Sequence, residues 1–313
     1  MTIAFVFPGQ GSQAVGMGRE LAENFDSAAQ VFQEVNDALD QDLSKLMFEG
    51  PEDELTLTEN AQPALMAVSM AVVRILGEES GSNPMGKAQF VAGHSLGEYS
   101  ALAAAGTFSL ADTARLLKIR GRAMQEAVPV GQGAMAALLG LDIDVAVSVA
   151  EEASQGEICT AANDNANGQV VISGTKAAVE RAIALASEQG AKRSVMLPVS
   201  APFHCALMAP AAEAMAEALA NVRMEAPVTP LVANVTAESV QDPTTIRRLL
   251  VEQVTGMVRW RDSVLYMKDQ GVDTLVELGA GKVLSGLARR IDRSLSAESV
   301  GTADSVAAFL EKI

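Results

Sequence analysis

The spacing of apolar and polar positions along the chain marks out its elements. The run IAFVF at 3–7 is apolar throughout and stops at Pro8-Gly9, which predicts a buried strand feeding a loop. Residues 15–39 and 60–77 carry apolar side chains at helical spacing. The second stretch, NAQPALMAVSMAVVRIL, is apolar nearly all round and predicts a buried helix. AQFVAGHS at 88–95 reads as a strand running into a sharp turn, and LGEYSALAAAG as the helix that follows, with Gly106 as its C′ residue. Ser109 and Asp112 resemble a capping box, so a helix is expected over 110–127, ending before Pro129.

Between 133 and 198 the rhythm shifts. AMAALLGL, a helix near 143–154, ICTAAN, QVVISG, a helix near 175–189 and RSVMLPV give the order βαββαβ of a ferredoxin-like unit. After it, LVANV, the helix TTIRRLLVEQVT, a helix through WRDSVLYMKDQG and the strand TLVELG return to the alternation of an α/β layer. The expected architecture is therefore an α/β core with a parallel sheet flanked by helices. Residues 1–128 and 199–313 form the large part and 129–198 a small ferredoxin-like subdomain.

Composition narrows the function classes. With 313 residues, 49% of them hydrophobic, the chain can bury a sizeable core. A formal charge of −16 opposes general binding to nucleic acid or anionic membrane, so an anionic partner must meet a local basic patch. Only Cys159 and Cys205 are present, without C-x-x-C, and neither a disulfide framework nor a structural zinc site is suggested. The opening MTIAFVFPGQG has no Lys or Arg before Arg19, and its apolar run is too short for a signal-peptide core. No segment approaches the roughly 20 apolar residues that span a bilayer. A soluble, unexported, cytoplasmic chain is expected.

Candidate chemistry centres on Gly93-His94-Ser95-Leu96-Gly97. A serine between two glycines, after a strand and before a helix, projects free of the backbone beside the amides of a helix N-terminus. The alternative is a helix N-cap. A serine nucleophile needs a base, and the chain has two histidines. His94 adjoins the serine, and the turn directs it elsewhere, toward packing or a hydrogen bond. His204, in PVSAPFHCALMAP, lies in a loop able to reach the serine. Asp262, Asp242 or a backbone carbonyl could orient its imidazole.

Arg120 is the second signal. Leu116, Leu117, Ala123, Met124 and Ala127 make the apolar stripe of the 110–127 helix, and Arg115, Lys118, Arg122 and Gln125 the polar one. Arg120 falls in the apolar stripe, where an unpaired charge costs several kcal/mol. It is either a structural ion pair, a snorkelling side chain, or a fork for a substrate carboxylate. Gly9-x-Gly11-x-x-Ala14 matches a relaxed dinucleotide fingerprint but lacks the second strand and its acidic residue. That loop can instead bring an amide to Ser95. GAGKV at 279–283 departs from a P-loop, with Val276 at the first glycine position and Val283 after the lysine. Two histidines and two cysteines argue against a metal site.

FPGQGSQ, GHSLGEYSAL, the arginine of KIRGRAM, APFHCALM, NV at 234, VEQ ending at Gln253 and ELGAGKVLSGL resemble, in order and spacing, the malonyl-CoA:acyl-carrier-protein transacylases of fatty-acid synthesis. The resemblance runs nearly end to end. It implies a hydrolase-like core interrupted by the ferredoxin-like subdomain, and ping-pong transfer of malonyl from CoA to a carrier's phosphopantetheine thiol through a malonyl ester. It implies Ser95 as nucleophile, His204 as base, the amides of Gln10 and Leu96 as oxyanion donors, Arg120 on the malonyl carboxylate and the Gln253 carbonyl orienting the imidazole. Leu96 and Phe203 match the pattern of related domains that use malonyl over methylmalonyl. It implies no bound cofactor and a transient acidic carrier-protein partner. That carrier would dock on Lys192 with Arg193, on Arg247 with Arg248, or on Arg289, Arg290 and Arg293. A monomer is expected. Rival readings from the residues are a serine esterase or thioesterase, a binding module and a dinucleotide enzyme.

Overall fold

The computed structural model describes residues 2–312. Its backbone forms two sheets. The first has six strands: β1 (Ile3–Phe7), β2 (Phe90–Gly93), β7 (Leu231–Val232), β8 (Ser239–Val240), β9 (Thr274–Leu278) and β10 (Ser296–Val300). Their spatial order is β10-β9-β1-β2-β7-β8, and all neighbours are parallel except the β7–β8 hairpin. Helices cover both faces. This is why β1, β2 and β9 are buried at every position and read as unbroken apolar runs instead of alternating ones.

One face of this sheet packs on the long helix Thr58–Ser80, which buries 17 of its 23 residues, and on the C-terminal helix Ala303–Leu310. Phe309 meets Phe5 edge-on at 6.2 Å. The opposite face buries Trp260, Val264 and Met267 of the helix Trp260–Asp269 with Leu284 and Leu287.

The second sheet is antiparallel: β3 (Gly133–Leu139), β4 (Cys159–Ala166), β5 (Gln169–Thr175) and β6 (Arg193–Met196), in the order β4-β5-β3-β6. The helices Ile143–Ser154 and Lys176–Glu188 present alanine and valine to one face of it, forming a separate small core. β4 ties the second sheet to the segment that leads into the helix Trp260–Asp269. Asp164 N donates to the Val258 carbonyl and Val258 N to the Ala162 carbonyl, and Arg261 pairs with the buried Asp164 carboxylate at 3.0 Å.

Three expectations need correction. The 15–39 stretch is two helices, Arg19–Asn24 and Asp26–Leu39, because the backbone turns extended at Phe25 (φ −135°), and residues 15–18 form turns. In LVANV the strand ends after two residues, because Asn234 leaves the sheet to bond the Gly93–Gly97 turn. Ser109 Oγ accepts from Asp112 N, but the Asp112 carboxylate returns to the Ser109 hydroxyl, so this is an N-cap without the reciprocal half of a box. The helix itself runs Leu110–Glu126, and Gly106 takes the left-handed conformation (φ 82°) just past Gly97–Ala104. No helix among the described residues is long and apolar enough to cross a membrane.

Candidate active site

Ser95 sits at the C-terminal end of β2 with φ 54°, a left-handed conformation that is costly for a side chain bearing Cβ. Its flanking glycines hold it there. A Cβ on Gly93 would stand 1.9 Å from the Gly97 carbonyl, and one on Gly97 would stand 2.2 Å from the Phe7 carbonyl at the end of β1. Gly9 is equally constrained, because a Cβ would come within 2.7 Å of the His94 carbonyl. The turn and the 7–13 loop are thus packed backbone on backbone. Asn234 fastens the turn, its Oδ1 accepting from Ser95 N at 2.8 Å and its Nδ2 donating to the Gly93 carbonyl at 2.7 Å.

His204 enters from the loop before the helix Ala209–Ala220, also with positive φ (58°). Its Nε2 lies 2.8 Å from Ser95 Oγ. On its other side Nδ1 lies 2.9 Å from the Gln253 carbonyl and 3.1 Å from that of Gly256. Carbonyls only accept, so Nδ1 carries the proton and Nε2 presents its lone pair to the serine hydroxyl. Burial, and then the Arg120 guanidinium, hold the imidazole's pKa down to about 3, so it is neutral at physiological pH. Neither acid weighed as its orienting partner is there. Asp262 pairs with Arg259 at 2.9 Å, and Asp242 caps the helix Pro243–Thr255 through Thr245 N at 2.7 Å.

Arg120 is 1% exposed, and no carboxylate lies within ion-pairing distance of it among the described residues. Snorkelling and a direct structural ion pair are therefore both set aside. Nη1 donates to Gln62 Oε1 at 2.8 Å, while Nη2 donates to Gln253 Oε1 at 2.8 Å and to Ser95 Oγ at 3.1 Å. Tyr99 lies beneath the guanidinium, 5.7 Å from ring centroid to Cζ. A buried cation held by neutral amides beside a serine hydroxyl is poised to receive an anion.

These groups open onto a cavity of about 480 Å³, whose lining includes Gln10, Leu96, Phe203, Met135, Leu197 and Val199. Seven residues singled out from sequence thus come together: Ser95, His204, Arg120, Gln253, Gln10, Leu96 and Phe203. His94 points away, its Nε2 2.8 Å from Asn165 Oδ1 and its ring against Trp260. Cys205 is buried and donates to the Pro202 carbonyl. Among the described residues no cluster of His, Cys, Asp and Glu could hold a metal ion.

Three contributors were not read from the sequence: Gln62, the Asn234 side chain and the Gly256 carbonyl. Gln62 had a signal, as a polar residue inside a helix apolar nearly all round. Gly256 had none, because every residue carries a carbonyl.

The chain matches the model of a family described as "Acyl transferase domain" over residues 4–308. It is 47% identical, over 98% of each chain, to the malonyl CoA-acyl carrier protein transacylase of Escherichia coli K12. Among solved structures, the acyl-carrier-protein S-malonyltransferase of Bartonella henselae superposes with a TM-score of 0.97 at 59% identity, covering 100% of this chain and 99% of that one. A malonyl-transacylase solved in complex with its type II polyketide-synthase acyl-carrier protein superposes at 0.96 with 44% identity, each chain covered in full.

Proposed function

The chain belongs to the acyl transferase domain family, and from that premise we propose that it transfers malonyl from malonyl-CoA to the phosphopantetheine thiol of an acyl carrier protein, supplying fatty-acid synthesis. One observation carries the reading. A single oxygen, Ser95 Oγ, lies 2.8 Å from a neutral imidazole and 3.1 Å from a buried guanidinium that has no carboxylate partner.

In the first half-reaction Ser95 Oγ attacks the thioester carbonyl as its proton passes to His204 Nε2. The carbon–sulfur bond then breaks, and CoA leaves as a thiol with that proton. The carrier's thiol next gives its proton to His204 and attacks the malonyl-serine ester, and the serine leaves with the proton returned. The amides of Gln10 and Leu96 take the oxyanion; the Ser95 amide is committed to Asn234. Arg120 pairs with the free carboxylate of the malonyl group. Acetyl would leave that guanidinium desolvated and unpaired, a loss of about 1–3 kcal/mol or more. Leu96 and Phe203 shape the acyl pocket against methylmalonyl.

No step requires a metal or redox cofactor. A serine esterase would share the dyad, but an uncharged ester would find no use for Arg120, and the relatives are transferases. The order β4-β5-β3-β6 supports a ferredoxin-like subdomain at 129–198 set into a hydrolase-like core of 1–128 and 199–313. The carrier protein is acidic by this reading and docks on one of the three basic clusters. Those clusters are Lys192 with Arg193, Arg247 with Arg248, and Arg289, Arg290 and Arg293. The protein works as a cytoplasmic monomer.

The test is intact-protein mass after brief exposure to malonyl-CoA. A malonyl adduct that Ser95→Ala abolishes and holo carrier protein removes is the expected result. Steady release of malonate with no transfer to carrier would overturn it.

A further inference from the structure

Glu98 takes no part in the chemistry above, yet it is a carboxylate 1% exposed in the first turn of the helix that follows the nucleophile. Its Oε2 accepts from Gln253 Nε2 at 2.8 Å and from Asn234 N at 3.2 Å. The Gln253 side chain is a junction. Its Nε2 also donates to the Ser95 carbonyl at 2.9 Å, its Oε1 accepts from Arg120 Nη2, and its main-chain carbonyl faces His204 Nδ1.

Each neighbour of that amide has one hydrogen-bonding sense. Arg120 only donates, while the Ser95 carbonyl and an ionised Glu98 only accept. The amide therefore has a single satisfying orientation, Oε1 to the guanidinium. A neutral side chain at 98 could donate as well as accept, so one of the three contacts that fix this orientation would lose its single sense and the buried guanidinium its nearby counter-charge. Position matters as much as sense. A carboxylate directly on Arg120 would occupy the donors a substrate needs, whereas Glu98 stands one amide away and balances the buried charge while leaving them available.

We propose that Glu98 is a positioning residue for substrate selectivity: through the Gln253 amide it holds the Arg120 guanidinium at Ser95 and balances its charge without occupying it. The inference rests on the malonyl-transfer reading. The titratable and charged groups facing Glu98 are Arg120, from the helix Leu110–Glu126, and Tyr99 on its own helix. Burial raises the Glu98 carboxyl to about 7, against the pull of Gln253, Asn234 and Arg120, so its charge state changes near neutral pH.

The experiment measures rate constants for Ser95 modification by malonyl-CoA and by an uncharged fluorophosphonate, which needs the dyad but not Arg120. Their ratio is compared in wild type, Glu98→Gln, Arg120→Ala and the double variant. Glu98→Gln should lower the ratio at least tenfold with the fluorophosphonate rate kept within about twofold, and should add less than about twofold in the Arg120→Ala background. The wild-type ratio should fall as pH drops below about 7, and the Glu98→Gln ratio should be flat. Glu98→Asp, charged but a methylene short, should also lose the ratio. An unchanged ratio in both variants, equal loss of both rates, or full additivity with Arg120→Ala would overturn the proposal. A wild type with no malonyl adduct would instead overturn the transfer reading on which it rests.

Discussion

The two sheets meet at one cavity but contribute to it in different ways. The parallel sheet delivers its polar groups from strand ends and adjoining loops: Ser95 after β2, Asn234 after β7 and Gln10 after β1, each held by backbone contact or hydrogen bonds. The antiparallel sheet and its connections supply mainly apolar wall, with Met135, Leu197 and Val199. Polar groups that must stay within a few tenths of an ångström sit where the backbone is packed against itself. Groups that only need to fill space sit on the sheet with its own small core. The difference predicts that changes on the first side alter chemistry and that changes on the second alter stability or shape.

The largest effect tests whether the reactive atom belongs to the parallel sheet. Ser95→Ala should reduce acyl transfer by roughly 10⁴-fold or more, measured by single-turnover transfer to carrier protein. Next, Arg120→Ala should slow malonylation by roughly a hundredfold while leaving reaction with an uncharged serine reagent within a few fold, read by intact mass. If both reactions slow together, the guanidinium serves the dyad and not the substrate.

Stability sharpens the contrast. Gly97→Ala forces a Cβ onto the Phe7 carbonyl and should cost upward of about 4 kcal/mol in chemical denaturation, with loss of activity. Leu138→Ala in the small core should cost about 2–5 kcal/mol, yet leave the malonyl-to-acetyl ratio within about twofold. Phe203→Ala should raise acceptance of methylmalonyl by about tenfold, in a competition assay followed by mass.

A last contrast is on pH. His204 is depressed from 6.5 to about 3, so between those values the unfolded chain binds a proton that the native one does not. Its contribution to stability is complete above pH 6.5 and is lost as pH falls toward 3. His204→Gln should flatten that part of the stability profile in urea titrations at stepped pH.

Legibility in the sequence follows the same division. β1 and the helix Leu110–Glu126 were readable because burial on both faces, or on one stripe, leaves a period in the residues. Arg120 announced itself by breaking such a period, and Ser95 by its glycines. The break at Phe25 was not readable, because apolar spacing continues through it. The orienting group for His204 was out of reach without a resemblance, because main-chain carbonyls carry no residue signature and the eligible acids proved to be occupied elsewhere. Glu98 was hidden in another way: its role depends on an amide 155 residues distant in the chain.

The order of the six-stranded sheet also bears on how the protein is made. β1 lies between β2 and β9, and Thr2 N donates to the Asp273 side chain across 271 residues of sequence. The central strand is synthesised long before one of its two neighbours and stays an unpaired apolar edge until that neighbour arrives. The small antiparallel sheet, whose strands all fall between residues 133 and 196, completes its pairing during that wait. The Gly93–Gly97 turn can meet the end of β1 early, but its side-chain fastening waits for Asn234, 139 residues beyond Ser95.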